Sequence, residues 1–216
     1  MKLIKPSFEI LEIMRTAEAL QLIEQAGRTC YKSEDKITNT SCISFVQRLL
    51  KLGHESVLEH SAITVKFIVD RGVTHELVRH RLVAYSQEST RYCNYSGGIT
   101  FIIPPWIDIE EGEYKHARNT HKNYADTEWI LCMLDAERRY RDILSEGWLP
   151  QQARSILPNS LKTEIVATAN FREWRHILKL RTSKAAHPQM REIMIPLLKG
   201  LKGQLPIIFD DIEVEE

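Results

Sequence analysis

The sequence predicts an α+β fold, with mixed helices around a central, mostly antiparallel sheet, as a single domain over residues 1–216. Three observations predict it. Apolar residues recur at helical spacing in several segments, and β-branched residues alternate in others. The two kinds of segment do not alternate strictly, as a doubly wound parallel sheet would require. No repeat, low-complexity tract or Gly/Ser linker divides the chain; Gly97-Gly98 and Pro104-Pro105 punctuate a loop.

The elements follow in order. Residues 16–27 place Ala19, Leu20, Ile23 and Ala26 on one stripe, with Gly27 as a C-cap. Residues 41–52 place Ile43, Val46, Leu49 and Leu50 on another, ended by Gly53. The alternating run 62–70 predicts a strand, 74–81 a short helix, and 99–105 a strand stopped by proline. The longest predicted helix is 114–145, with Ala117, His121, Tyr124, Leu131, Leu134 and Ile143 inward. Pro150 opens a helix over 150–157, at the position where proline's missing N–H costs nothing. A strand at 163–170, a helix at 172–181 and a last helix bent near Pro196 complete the chain.

Composition excludes some functions. Lys plus Arg equals Asp plus Glu, 29 against 29, so the chain lacks the basic excess of a general nucleic-acid binder. Cys30, Cys42, Cys93 and Cys132 form no CxxC pair, which excludes a zinc ribbon and points to reduced thiols. Pro6 and Glu9 interrupt any signal-like apolar run, and no stretch approaches a membrane span. A cytoplasmic protein without membrane or nucleic-acid partners is expected.

Positive charge is concentrated locally instead. The stretch Arg79-His80-Arg81 precedes an apolar patch and the polar run 86–91. On a helix, Arg79 and Arg81 would point about 200° apart, so both cannot lie on one solvated face. Guanidinium groups of this kind suit phosphate or carboxylate, and consecutive backbone N–H groups in the polar run suit phosphate. A second cluster holds Asn170, Arg172, Arg175, His176 and Arg181, with Trp174, Leu178 and Arg181 on one helical face. Arg154 is a further inward candidate. Residues 53–61 begin like HExxH, but His54 and His60 are six apart, which rules out zinc on one helical face, and no metal site is expected. With neither GxGxxG nor GxxxxGK[ST] present, Arg, His and polar side chains must carry the phosphate binding.

At this point the sequence resembles the flavin-dependent thymidylate synthases. Their signature is Arg-His-Arg, seven residues, then Ser; here it reads Arg79-His80-Arg81, 82–88, Ser89, followed by Arg91-Tyr92. Residues 53–60, 153–158 and 170–181 extend the likeness from about Arg28 to His187. The resemblance implies a homotetramer with FAD at subunit interfaces. It implies reductive methylation of dUMP to dTMP, with methylenetetrahydrofolate as carbon donor, NADPH as reductant and no enzyme nucleophile. It further implies that Glu76, Leu77, Val78, Arg79, Gln87, Glu88, Ser89, Thr90, Arg91, Arg154 and Arg181 bind dUMP. His54, Ser56, Glu59, Arg79, His80, Arg81, Gln87, Asn170, Arg172 and His176 are implied as FAD contacts, the first three as rim residues on the flavin or the folate side and the last three from another subunit. Arg181 is the implied catalytic residue, stabilising an N3-deprotonated uracil. Cys30 stands where the family commonly has Ser and is left out of the site.

Two other readings compete: a non-catalytic nucleotide-binding module using the same Arg clusters, and a methyltransferase with Cys93 as nucleophile. A cationic neighbour would favour the Cys93 thiolate, but the sequence shows no base beside it.

Overall fold

The computed structural model describes residues 1–116 and 123–215. The fold is α+β, as expected. Its elements are β1 (Lys2–Ile4), β2 (Ser7–Ile13), α1 (Thr16–Thr29), α2 (Ser41–Lys51), β3 (Ala62–Asp70), α3 (Arg71–Leu77) and β4 (Ala84–Gln87). They continue as β5 (Thr100–Ile102), β6 (Gly112–Glu113), α4 (Tyr124–Ser145), α5 (Pro150–Ala153), β7 (Lys162–Asn170), α6 (Phe171–Arg181), α7 (Pro188–Gln204) and α8 (Pro206–Phe209).

One sheet has the order β5-β1-β6, with β1 parallel to β5 and antiparallel to β6. The other has the order β2-β3-β7-β4. In it β3 and β7 run antiparallel. The Thr64 and Thr168 hydroxyls meet at 2.9 Å, and beyond the other end of β3 the Arg71 N–H donates to the Asn159 carbonyl at 2.9 Å. β7 alternates throughout, and β3 alternates up to Val69, after which Asp70 is buried as well. Ile63, Val65, Phe67 and Val69 are buried on β3, and Thr163, Ile165, Ala167 and Ala169 on β7.

Each of these strands turns directly into a helix through a side-chain cap. Asp70 Oδ1 accepts from the Val73 N–H at 2.7 Å, and Asn170 Oδ1 from the Glu173 N–H at 2.9 Å. The caps fix the start of the two helices that carry the site residues.

The chain divides into two compact units. The first comprises residues 1–7, 67–79 and 86–165, the second 8–66, 80–85 and 166–216. The first unit's core gathers Leu3, Ile99, Phe101, Ile103, Ile130, Met133, Tyr140 and Leu161. The second is built around Trp174, whose indole N–H donates to the Ile63 carbonyl at 2.9 Å, and around Phe171 against Phe209. Here the buried Arg175 bonds Asp211 at 2.6 Å and Glu55 at 3.1 Å, and also the Ile208 carbonyl. It thereby ties the C-terminal segment to the 3-10 turn Glu55–His60. Arg175 is therefore a structural clamp, where the sequence reading grouped it with the anion-binding cations.

Three other expectations are corrected. Gly27 is no C-cap; it lies inside α1, where a Cβ would come within 2.7 Å of the Phe45 ring. Helix α3 ends at Leu77 with Val78 as C-cap, so Arg79 and Arg81 have left the helix and the 200° argument does not apply to them. Helix α4 starts at Tyr124, capped by Asn123, and its buried stripe is Ile130, Met133, Glu137 and Tyr140. Tyr124 and Leu131 are exposed, and the expected inward Ala117 and His121 lie outside the described residues. A buried carboxylate hid the period: Glu137 accepts the Ile99 N–H at 2.8 Å and pairs with the Met1 ammonium at 2.9 Å.

Candidate active site

In the first unit, the polar run after β4 is held by side chains behind it. The Gln87 amide donates to Thr74 Oγ1 at 3.0 Å and Thr163 Oγ1 at 3.2 Å. The Thr74 hydroxyl spends its own proton on the Arg71 carbonyl, so it must accept from Gln87, and this fixes which way the amide faces. Glu88 uses both carboxylate oxygens. One accepts from the Tyr95 hydroxyl at 2.8 Å, the other from Lys162 at 3.1 Å, while Lys162 also reaches Glu164 at 2.5 Å. Burial alone would lower the Lys162 pKa, but the bonds to Glu164 and Glu88 outweigh it and hold the ammonium above its ordinary value. Burial, then the Glu88 bond, drives the Tyr95 phenol upward. The main chain is pinned by a bond from the Glu88 N–H to the Glu164 carbonyl at 2.8 Å. Glu88 is thus committed to holding this run in place.

The next residues form a tight turn. Ser89 accepts the Arg91 N–H on its hydroxyl at 3.3 Å, and the Tyr92 and Cys93 N–H groups on its carbonyl. Thr90 is buried and accepts from Arg154 at 3.3 Å. Thr90, Arg154, Arg71 and His75 line a cavity of about 440 Å³. One guanidinium nitrogen of Arg71 is buried there with no hydrogen-bond partner among the described residues. An unpaired buried donor of this kind costs roughly 1–3 kcal/mol, which a bound anion would recover. Arg91 is exposed beside Tyr92. Glu76 is half-buried and Val78 exposed, but the Leu77 side chain is fully buried, which leaves it only its main chain for any ligand.

In the second unit, His80 is the centre of a second cluster. Its Nε2 accepts from Arg181 Nε at 3.0 Å, and its Nδ1 lies 3.6 Å from Glu173 Oε1. The His176 ring stands edge-on at 5.7 Å, and the Tyr85 hydroxyl donates to the His80 carbonyl at 3.2 Å. Burial first, then the Arg181 and His176 charges, lowers the His80 pKa to about 4. Burial and then Glu173 push the Tyr85 phenol up to about 12.

Beside this cluster, a cavity of about 670 Å³ is lined by Leu82, Asn170, Arg172, Glu173, His176, Lys179, Glu55 and Glu59. The Asn170 carbonyl oxygen is used by the helix cap. Arg172 pairs with Glu59 at 2.5 Å, both partly exposed, and His176 is exposed. Asn170 and Arg172 stand at the dipole-positive start of the eleven-residue α6, with His176 and Lys179 further along it, and these donors beside Leu82 are of the kind that a phosphate-bearing aromatic cofactor would use. His54 and Ser56 are exposed at the 3-10 turn that Arg175 anchors. Arg79 and Arg81 are exposed in the turn after α3.

The family model described as "Thymidylate synthase complementing protein" (Thy1) matches residues 12–207, a span that contains both clusters. The chain belongs to this family. Among the proteins similar to it, a flavin-dependent thymidylate synthase of Mycobacterium sp. (strain JLS) is 35% identical over 206 residues, 89% of this chain and 80% of that one. A flavin-dependent thymidylate synthase of Mycobacterium tuberculosis (strain ATCC 25618 / H37Rv) is 32% identical over 200 residues, 89% of this chain and 79% of that one. In fold the chain is similar to PolB from Streptomyces cacaoi, a UMP/dUMP methylase solved with 5-Br dUMP. The TM-score is 0.76 at 23% identity, covering 97% of this chain and 96% of that one.

Sequence reasoning did not single out Arg71, Thr163 and Lys162, which the first unit's cluster contains, or Glu173, which stands beside His80 in the second. Asn170 and Glu173 are spaced as a capping box, which would have sent the Glu173 carboxylate back to the helix start. The structure sends it to His80 instead. Arg71 follows the last residue of β3 directly, and only the antiparallel partner of that strand reveals it.

Proposed function

We propose that residues 1–216 act as a flavin-dependent thymidylate synthase, a methyltransferase that converts dUMP to dTMP. The single observation that carries this reading is the Thy1 match over residues 12–207, within which both cationic clusters fall. The co-substrates are methylenetetrahydrofolate and NADPH, the cofactor is FAD, and the assembly is a homotetramer. FAD, when bound, supplies the hydride for the reductive step.

The chain's own groups have separable tasks. Arg154 and Arg71 receive the dUMP phosphate, with the Ser89–Arg91 turn presenting N–H donors and one further guanidinium. Gln87, locked by Thr74 and Thr163, orients the nucleotide. Asn170, Arg172 and His176 hold the cofactor, with His54, Ser56 and Glu59 at its rim. Arg181 places a permanent positive charge where uracil loses its N3 proton, and this stabilises the anion in the way preorganised donors do. Ser89 positions the nucleotide and does not attack, in line with the absence of an enzyme nucleophile in this reading; its hydroxyl accepts the Arg91 N–H within its own turn.

The purified protein tests this reading. It is expected to be yellow, or to become so with FAD, and to lose its flavin absorption band on adding NADPH. A colourless protein that takes up no flavin would contradict it and favour the non-catalytic nucleotide-binding module.

A further inference from the structure

Arginine carries donors only, so a 3.0 Å contact between Arg181 Nε and His80 Nε2 requires a lone pair on that imidazole nitrogen. A neutral His80 must then hold its proton on Nδ1. That nitrogen faces the carboxylate of Glu173 at 3.6 Å, and the two side chains are nearly buried, at 4% and 10% exposure. Glu173 and Arg181 belong to the same helix, α6, eight residues apart, or about 12 Å of rise. The His80 imidazole lies between them and touches both.

We propose that Glu173 is a positioning residue of the reaction: through His80 it fixes the Nδ1–H tautomer, and this tautomer orients the Arg181 guanidinium. This inference rests on reading Arg181 as the uracil contact. Without the Glu173 carboxylate facing Nδ1 and favouring a proton there by its charge, the Nε2–H tautomer becomes available. Two N–H groups would then point at one another, and Arg181 would swing away. The groups facing His80 are Glu173, His176 and Arg181 from α6 and Tyr85 from β4. Burial and the two nearby cationic or ionisable groups keep the ring neutral at pH 7, with a pKa lowered to about 4. His80 therefore serves as a neutral relay of orientation and not as a proton donor.

The decisive experiment is long-range proton–nitrogen NMR of the holoenzyme carrying nitrogen-15 histidine, with His80→Gln as the assignment control. At pH 7 the His80 signal is expected to show the neutral Nδ1–H form; an Nε2–H or imidazolium signature overturns the proposal without need of any variant. Glu173→Leu is expected to shift the tautomer and lower kcat by about tenfold or more, a larger change than in KM for dUMP or in flavin content, because a misplaced group costs the transition state most. Glu173→Gln keeps a carbonyl dipole that can face Nδ1–H and is expected to restore both tautomer and turnover in large part. A Glu173→Gln enzyme as impaired as Glu173→Leu, or a Glu173→Leu enzyme like wild type, overturns the proposal. Arg181→Ala separates the two levels. If it turns over normally while wild type shows Nδ1–H, the reading of Arg181 has failed and the His80 tautomer assignment stands.

Discussion

The Nε of Arg181 donates to the Nε2 of His80 across 3.0 Å, joining the last residue of α6 to the middle of the Arg-His-Arg motif. The proposed catalytic guanidinium is therefore oriented by a neutral imidazole, whose own state depends on pH.

Stability should report that state. The His80 pKa falls from 6.5 in the unfolded chain to about 4 in the fold. Between these values the unfolded chain binds the extra proton, so this group's effect on stability is favourable above pH 6.5 and is lost as pH falls toward 4. From pH 7 to pH 5 the loss is on the order of 2 kcal/mol. Urea unfolding at the two pH values, compared with His80→Gln, measures it; the variant should show a correspondingly smaller fall.

Arg181→Ala should retain flavin but lose most methylation, since it removes the fixed charge proposed to stabilise the uracil anion. Flavin absorbance and dTMP formation on the same preparation check both halves. Near-normal turnover would remove Arg181 from the mechanism.

Lys162→Met should leave Glu88 and Glu164 without their shared cation and destabilise the first unit by roughly 1–3 kcal/mol. Because Glu88 holds the run leading into the Ser89 turn, KM for dUMP should rise while flavin content stays constant. Steady-state kinetics and thermal unfolding together test this.

Gly27→Ala ordinarily stabilises a helix interior by about 1 kcal/mol. Here the new Cβ would meet the Phe45 ring at 2.7 Å, so the variant should unfold at a lower temperature than wild type. Calorimetry gives the sign.

Much of the fold was legible because it is written in local periods. β3, β7 and α6 lie within a residue of their expected spans, and α1 and α2 run close to theirs. What was not legible depends on distant partners. Glu137 breaks the apolar period of α4 because it answers the Met1 ammonium and the Ile99 N–H. Gly27 looks like a cap until the Phe45 ring from α2 is placed against it. Strands β1, β2, β4 and β6 are short or half-exposed and give no strong alternation. Of the candidate site, the motif and the resemblance pointed to Arg79 through Arg91, Arg154 and the α6 residues as candidates. The tautomer of His80, the facing of Gln87 and the unpaired nitrogen of Arg71 are properties of contacts 13 to 101 residues apart or of a cavity, and no sequence window contains them.

The most direct test is electron balance in dTMP formation from dUMP, methylenetetrahydrofolate, FAD and NADPH. If the hydride reaches the nucleotide from NADPH by way of the flavin, the folate leaves as tetrahydrofolate and one NADPH is consumed per dTMP. That is the result expected, with Cys93→Ser equally active. Formation of dihydrofolate without NADPH oxidation, abolished in Cys93→Ser, would contradict the account and assign the chemistry to a cysteine nucleophile.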